Sequence, residues 1–118
     1  LYRIGKYQEA FDVLQKSNVR NAYTTQVMAE SCLILGKLAD ANTLITESLS
    51  FEVNNPWSNY AMARTQAALN QSSGALNYLE KALQNGLNRN VVVNTREFTA
   101  LKETKEFRKL LKQYGVDY

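Results

Sequence analysis

The chain has 118 residues, 45% of them apolar and 21% charged, and a formal net charge of +3. That is one domain's worth of sequence with enough apolar surface for a packed core, which excludes wholesale disorder. It contains no histidine and a single cysteine, Cys32, which removes the commonest general base, His-activated nucleophiles, an internal disulfide and a cysteine-built zinc site.

Only one proline and five glycines occur, which suits long helices. Residues 1–4 read as the end of a helix closed by Gly5, since glycine tolerates the left-handed conformation that follows a helix. Residues 7–17 form the next helix, with Tyr7, Ala10, Phe11 and Leu14 on one face at helical spacing. A polar turn at Asn18–Asn21 leads to a helix over 22–35, with Val27, Met28, Leu33 and Leu35 as core candidates and Gly36 as its stop. Its partner covers 38–50, with Leu38, Ala41, Leu44, Ile45 and Leu49 on the buried stripe.

Asn54-Asn55-Pro56 is the clearest boundary. Asn55 can cap the following helix, and Pro56 fits its first position, where the missing N–H has no intrahelical partner to lose. Residues 56–69 carry Tyr60, Met62, Ala63, Ala67 and Leu69, and residues 74–85 carry Ala75, Tyr78, Leu79, Ala82 and Leu83 before Gly86. Val91-Val92-Val93 favours extended structure locally, has no strand partner in view, and reads as a loop or a strained helix start. Thr95 is placed to cap a short helix through Leu101. Thr104 is placed to cap a last one over 105–114, with Phe107, Leu110, Leu111 and Tyr114 inward.

A block recurs along this order: Gly5-Lys-Tyr-Gln-Glu-Ala10, Gly36-Lys-Leu-Ala-Asp-Ala41 and Asn70-Gln-Ser-Ser-Gly-Ala75, begun 31 and 34 residues apart. Four residues beyond each alanine stands Leu14, Ile45 or Leu79, and seven beyond it Ser17, Ser48 or Ala82. A period of that length marks stacked helix pairs. The alanines have a physical reason: where two helices of a hairpin cross closely, only a small side chain fits. Ala10, Ala41 and Ala75 are placed at such crossings, with Ala29 and Ala63 opposite.

The spacing Gly5/Tyr7/Ala10/Ser17, and with substitutions Gly36/Leu38/Ala41/Ser48, resembles the tetratricopeptide repeat (TPR). The third copy keeps Ala75 and Ala82 but has Asn70 and Ser72 for the turn glycine and aromatic residue. The usual proline after the second helix is absent, with Val53 and Leu87 near those places. The segment Thr95-Arg-Glu-Phe98-Thr-Ala-Leu101-Lys, followed by Glu106-Phe107-Arg-Lys-Leu110-Leu111, looks like a C-terminal cap of many bacterial TPR proteins. The resemblance implies an all-α fold: antiparallel helix hairpins stacked as a short right-handed α-solenoid with a C-terminal capping helix. It divides the single domain 1–118 into a partial repeat (1–18), two repeats (22–53 and 56–86) and an atypical capping unit (87–118). A chain that opens on Leu1 in what reads as a helix tail is expected to be a piece of something longer.

The resemblance also implies a concave groove lined by the first helix of each pair. Mapped residue by residue, its positions are Tyr23, Gln26, Glu30 and Leu33 in one repeat and Trp57, Tyr60, Arg64 and Ala67 in the next, with Tyr2 and Arg3 from the partial unit. Aromatic and Arg side chains are the usual anchors of peptide recognition. Trp57 serves equally well as a staple at the helix entrance, and Tyr60 reads better as packing between hairpins. The carboxylate-gripping TPR class is not expected, because Glu30 would repel a carboxylate.

No catalytic constellation, metal site, cofactor motif or phosphate-cradling glycine loop is visible. The expected function is a non-catalytic scaffold that binds a protein or peptide segment in the groove. The alternative is a structural or regulatory appendage packed against another domain of the same polypeptide. Residues 96–112 carry six basic and three acidic side chains, a patch that reads as a solvated helix face rather than a nucleic-acid site. No apolar run approaches the roughly 20 residues that span a bilayer. Self-association through the exposed N-terminal end is a further expectation. The compartment stays open.

Overall fold

The computed structural model describes residues 2–16 and 21–115, with the side chains of 2–6 and 10 outside the description. Ser17, the 18–20 part of the polar turn, the Ala10 side chain and the groove positions Tyr2 and Arg3 therefore lie outside the described structure. Among the described residues the fold is all-helical, without a strand: α1 (Tyr2–Lys16), α2 (Ala22–Ile34), α3 (Leu38–Phe51), α4 (Pro56–Ala68), α5 (Ser72–Gln84), α6 (Arg89–Val93), two 3₁₀ turns (Arg96–Phe98 and Leu101–Glu103) and α7 (Lys105–Gln113). No helix among the described residues is long and apolar enough to cross a membrane.

Two hairpins dominate: α2 packs along α3 and α4 along α5, while α1 leans on α2, α3 on α4, and α2 also touches α4. Their starts are set by side-chain caps. Asn21 accepts from Thr24 N at 2.9 Å while Thr24 Oγ1 accepts from Asn21 N at 3.0 Å, a reciprocal capping box. Asn55 Oδ1 takes the N–H groups of Trp57 and Ser58 at 2.9 and 3.0 Å, with Pro56 in the first turn.

Their ends share one geometry. After α2, α4 and α5 the chain passes through Gly36, Asn70 and Gly86 at positive φ (81°, 61° and 103°). The next residue's N–H returns to a carbonyl five residues back: Lys37 to Cys32, Gln71 to Gln66 and Leu87 to Ala82, at 2.8–2.9 Å. This is the Schellman closure, which satisfies the last carbonyls of a helix.

The recurring alanines lie at the crossings: Ala29, Ala41, Ala63, Ala75 and Ala82 are fully buried. Ser48, at the small-residue position of α3, uses its hydroxyl to join three helices. It donates to Ala22 O at 2.7 Å and lies 2.7 Å from the buried Ser58 hydroxyl. Buried Asn59 donates through Nδ2 to Val53 O and Asn55 O, pinning the turn between the hairpins.

Two apolar clusters result. One gathers Met28, Cys32, Leu33, Leu44 and Ile45 with Ala61 and Met62; the other gathers Tyr60, Leu79, Leu83, Val92, Phe98, Leu101, Phe107 and Leu111. Helix α4 supplies both, so it is covered on opposite sides and every residue from Ser58 to Ala63 is buried.

Three local expectations are corrected. Gly5 does not end a helix: α1 runs through it from Tyr2 to Lys16. Ile4-Gly5-Lys6 and Leu35-Gly36-Lys37 are chemically alike, so the left-handed turn at Gly36 is decided by α3 docking back on α2 and not by local sequence. Glycine inside a helix costs only about 1 kcal/mol against alanine. Val91-Val92-Val93 is neither loop nor strand but part of α6, started by the Asn88 cap on Asn90 N at 2.8 Å. Burial of Val92 against Phe98 and Leu101 overrides its β preference. Finally, no single helix follows Thr95; two 3₁₀ turns do, and Thr95 makes no capping bond to them. Thr104 does cap α7, accepting from Phe107 N at 3.2 Å.

Candidate functional site

The site is built outward from α4. Its one charged residue, Arg64, emerges beside α2 and the first 3₁₀ turn. Its Nη1 donates to Glu30 Oε1 at 2.9 Å and its Nε to Glu97 Oε1 at 3.2 Å. The guanidinium also lies over the Tyr60 ring, 5.3 Å from its centre. One cation thus ties three separate pieces of chain together. The Arg64 side chain is 12% exposed, Glu97 13% and Glu30 30%, so water screens the cluster most on the Glu30 side.

Burial pushes the Glu30 carboxyl above the usual range; Arg64 and a hydrogen bond from Gln26 oppose that, and Glu97 adds to it as a like charge. Desolvation works against the Arg64 charge, but the two carboxylates outweigh it and hold the guanidinium above its ordinary value. Arg64 is a cation at every accessible pH.

Tyr60 is the hinge between this cluster and the core. Its hydroxyl lies 2.6 Å from Thr95 Oγ1, and Thr95 Oγ1 donates its own proton to Val91 O at 2.7 Å. With that proton committed, Tyr60 is the donor of the pair. Its ring stands edge-on to Trp57 at 5.9 Å and to Phe98 at 6.2 Å, and Phe98 meets Phe107 at 6.1 Å. A file of four rings therefore runs from the surface at Trp57 to the core under α7, at spacings where edge-to-face pairs are favourable.

Beside Tyr60 and Arg64 opens a cleft of about 430 Å³, lined by Tyr7, Ile34, Tyr60, Arg64 and residues 94–97. Of the eight groove residues expected from sequence on α2 and α4, Tyr23 and Trp57 present open rings, 71% and 50% exposed, and Ala67 is partly buried against the second apolar cluster. Gln26, Glu30 and Arg64 stand half-buried in a connected polar row. Leu33 and Tyr60 are buried core residues. The structure brings together Trp57 with Tyr60, Tyr60 with Arg64, and Arg64 with Glu30.

Sequence reasoning missed Tyr7, Ile34 and above all Asn94–Glu97. A signal was available: Glu30 and Arg64 stand 34 residues apart and Arg64 and Glu97 stand 33 apart, so the groove position repeats once more into the cap with alternating charge.

Cys32 is buried in the first cluster, and burial pushes its thiol up, the behaviour of a small core residue. Among the described residues no group of three or more His, Cys, Asp or Glu side chains is placed to hold a metal ion. No family model matches the chain, and no curated protein or solved structure matches it. The fold and the cleft define an all-helical protein of packed helix pairs with an aromatic-flanked cleft.

Proposed function

We propose that this chain is a non-catalytic interaction module of TPR-like architecture, a short right-handed stack of helix hairpins that receives a protein or peptide segment along α2, α4 and residues 94–97. The stacking reading draws support from the three matching Schellman turns, the buried alanines and the 34-residue offset of α4 from α2. The observation that carries the binding reading is the pair of exposed rings, Tyr23 and Trp57, at equivalent places in the first turns of α2 and α4. Large aromatic surface left in water is the usual mark of a docking site, and the Trp57 ring also touches Tyr60, which lines the cleft.

The test is affinity capture with the wild-type chain and with a Tyr23→Ala/Trp57→Ala variant whose helicity and melting are unchanged. A partner held by the first and lost by the second supports the module. Arg64 is a poor choice for this purpose, because its removal also strips the charge balance from two carboxylates.

A second reading, an appendage docked on another domain of its own polypeptide, is favoured by Phe51 and Val53, both exposed at the corner between the hairpins. It predicts that Phe51→Ser/Val53→Ser abolishes capture of the partner domain while Tyr23→Ala/Trp57→Ala does not.

A further inference from the structure

The polar centre of the cleft is unevenly charged. Among the described residues, two carboxylates, Glu30 and Glu97, share one cation, Arg64, which contacts Oε1 of each, and Gln26 also hydrogen-bonds Glu30. A carboxylate has about four lone-pair positions, so each of the two retains accepting capacity. Arg96 reaches Glu97 Oε2 only at 3.9 Å, with its side chain 86% exposed, a solvated rim charge that contributes little. The inner three groups carry a surplus of one negative charge in a partly desolvated place, where charge is felt more strongly than in water. The raised Glu30 carboxyl has the same origin: the positive charge around it is too small to offset its burial.

An anionic group would have to draw Arg64 from two carboxylates already bonded to it, and would face their charge. A cation meets neither obstacle; it faces the like charge of Arg64, which the two carboxylates outnumber. Beside the cluster, Tyr60 connects Arg64 to the open ring of Trp57 through successive contacts of 5.3 and 5.9 Å. About three extended residues cover such a span.

We infer that the groove selects a segment bearing an arginine or lysine a few residues from an apolar or aromatic side chain, the cation seated on Glu30 and Glu97 and the apolar group on Trp57. This rests on the groove-binding reading and names the chemistry of its partner.

The test is selection from a random peptide display library on the intact chain, followed by affinity measurements with the enriched peptides. The expected result is enrichment of peptides that share one basic residue and that weaken about tenfold or more when that residue becomes glutamine, or when the protein carries Glu30→Gln or Trp57→Ala. The glutamine substitution lies in the peptide, so it reads the charge contact even if the Glu30→Gln protein folds poorly. Peptides that depend on Trp57 but carry no basic residue, or whose basic residue is dispensable, would overturn the inference and leave the groove standing. Peptides indifferent to Trp57→Ala, or no enrichment at all, would overturn the groove reading and the inference with it.

Discussion

The Tyr60 hydroxyl donates to Thr95 Oγ1 at 2.6 Å, joining the middle of α4 to the residue that opens the C-terminal cap, 35 positions later. Thr95 in turn bonds Val91 O, so one hydroxyl closes α6 and receives α4. Tyr60→Phe removes the donor and leaves Thr95 its bond to Val91; the expected loss is about 0.5–1.5 kcal/mol. Thr95→Val strands a buried Tyr hydroxyl as well and is expected to cost more, about 1–3 kcal/mol. Urea unfolding of the two variants checks the order, and equal losses would show that the Thr95 hydroxyl is not shared.

Among the described residues, Arg64 is expected to be worth more to folding than any other charge. Arg64→Met leaves Glu30 and Glu97 without their cation. The expected loss lies toward the lower end of the about 3–5 kcal/mol found when a buried ion pair is broken, because Glu30 keeps 30% of its side chain in water. A loss below about 1 kcal/mol in denaturant melts would mean the cluster behaves as a surface pair.

Glu30 should leave a signature in the pH dependence of stability. Its folded carboxyl holds a proton more tightly than the unfolded chain's, mainly through burial. Protonation therefore favours the folded state, and stability due to this group falls as pH rises from the ordinary 4.5 through its raised value. Glu30→Gln cannot titrate. Its stability minus that of the wild type is expected to increase with pH across that window and then level off at neutral pH. A difference that decreases over the same window would reverse the sign.

The three helix-ending turns differ in one residue and can be compared directly. Gly36 has φ 81° and open space where a Cβ would stand, so Gly36→Ala carries only the conformational penalty of the left-handed region, about 1–2 kcal/mol. Asn70 adopts the same region at φ 61°, and Asn70→Gly is expected to leave stability unchanged or raise it. Thermal melts of the two variants moving in the same direction would contradict a shared turn geometry.

Ala41 is completely buried between the helices of its hairpin. Ala41→Leu is expected to cost about 1–3 kcal/mol through overpacking, and an unchanged melting temperature would show that the crossing is loose.

Such positions were the most legible part of the chain. Period, small residues and caps act within one or two helical turns, so Ala41, Ala75, Asn55-Pro56 and the Thr104 cap could be read directly. What escaped was decided across longer distances. Gly5 and Gly36 share their flanks, and only the docking of α3 makes one of them a turn. Val91–Val93 became helical because Val92 is buried in the apolar cluster that holds Phe98 and Leu101. The candidate site was half legible. The aromatic and Arg positions on α2 and α4 follow the repeat, whereas Glu97 and Thr95 belong to the irregular cap and enter through contacts that no local pattern announces.

The central claim is that a partner lies along α2 and α4. The most direct test replaces Tyr23, and in a second variant the exposed Thr46 on α3, with a photo-reactive phenylalanine and irradiates each in the presence of a bound partner. Cross-linking from position 23 and none from position 46 is the result this account predicts. Cross-linking from position 46 with none from position 23 would place the partner on the other helices and contradict it.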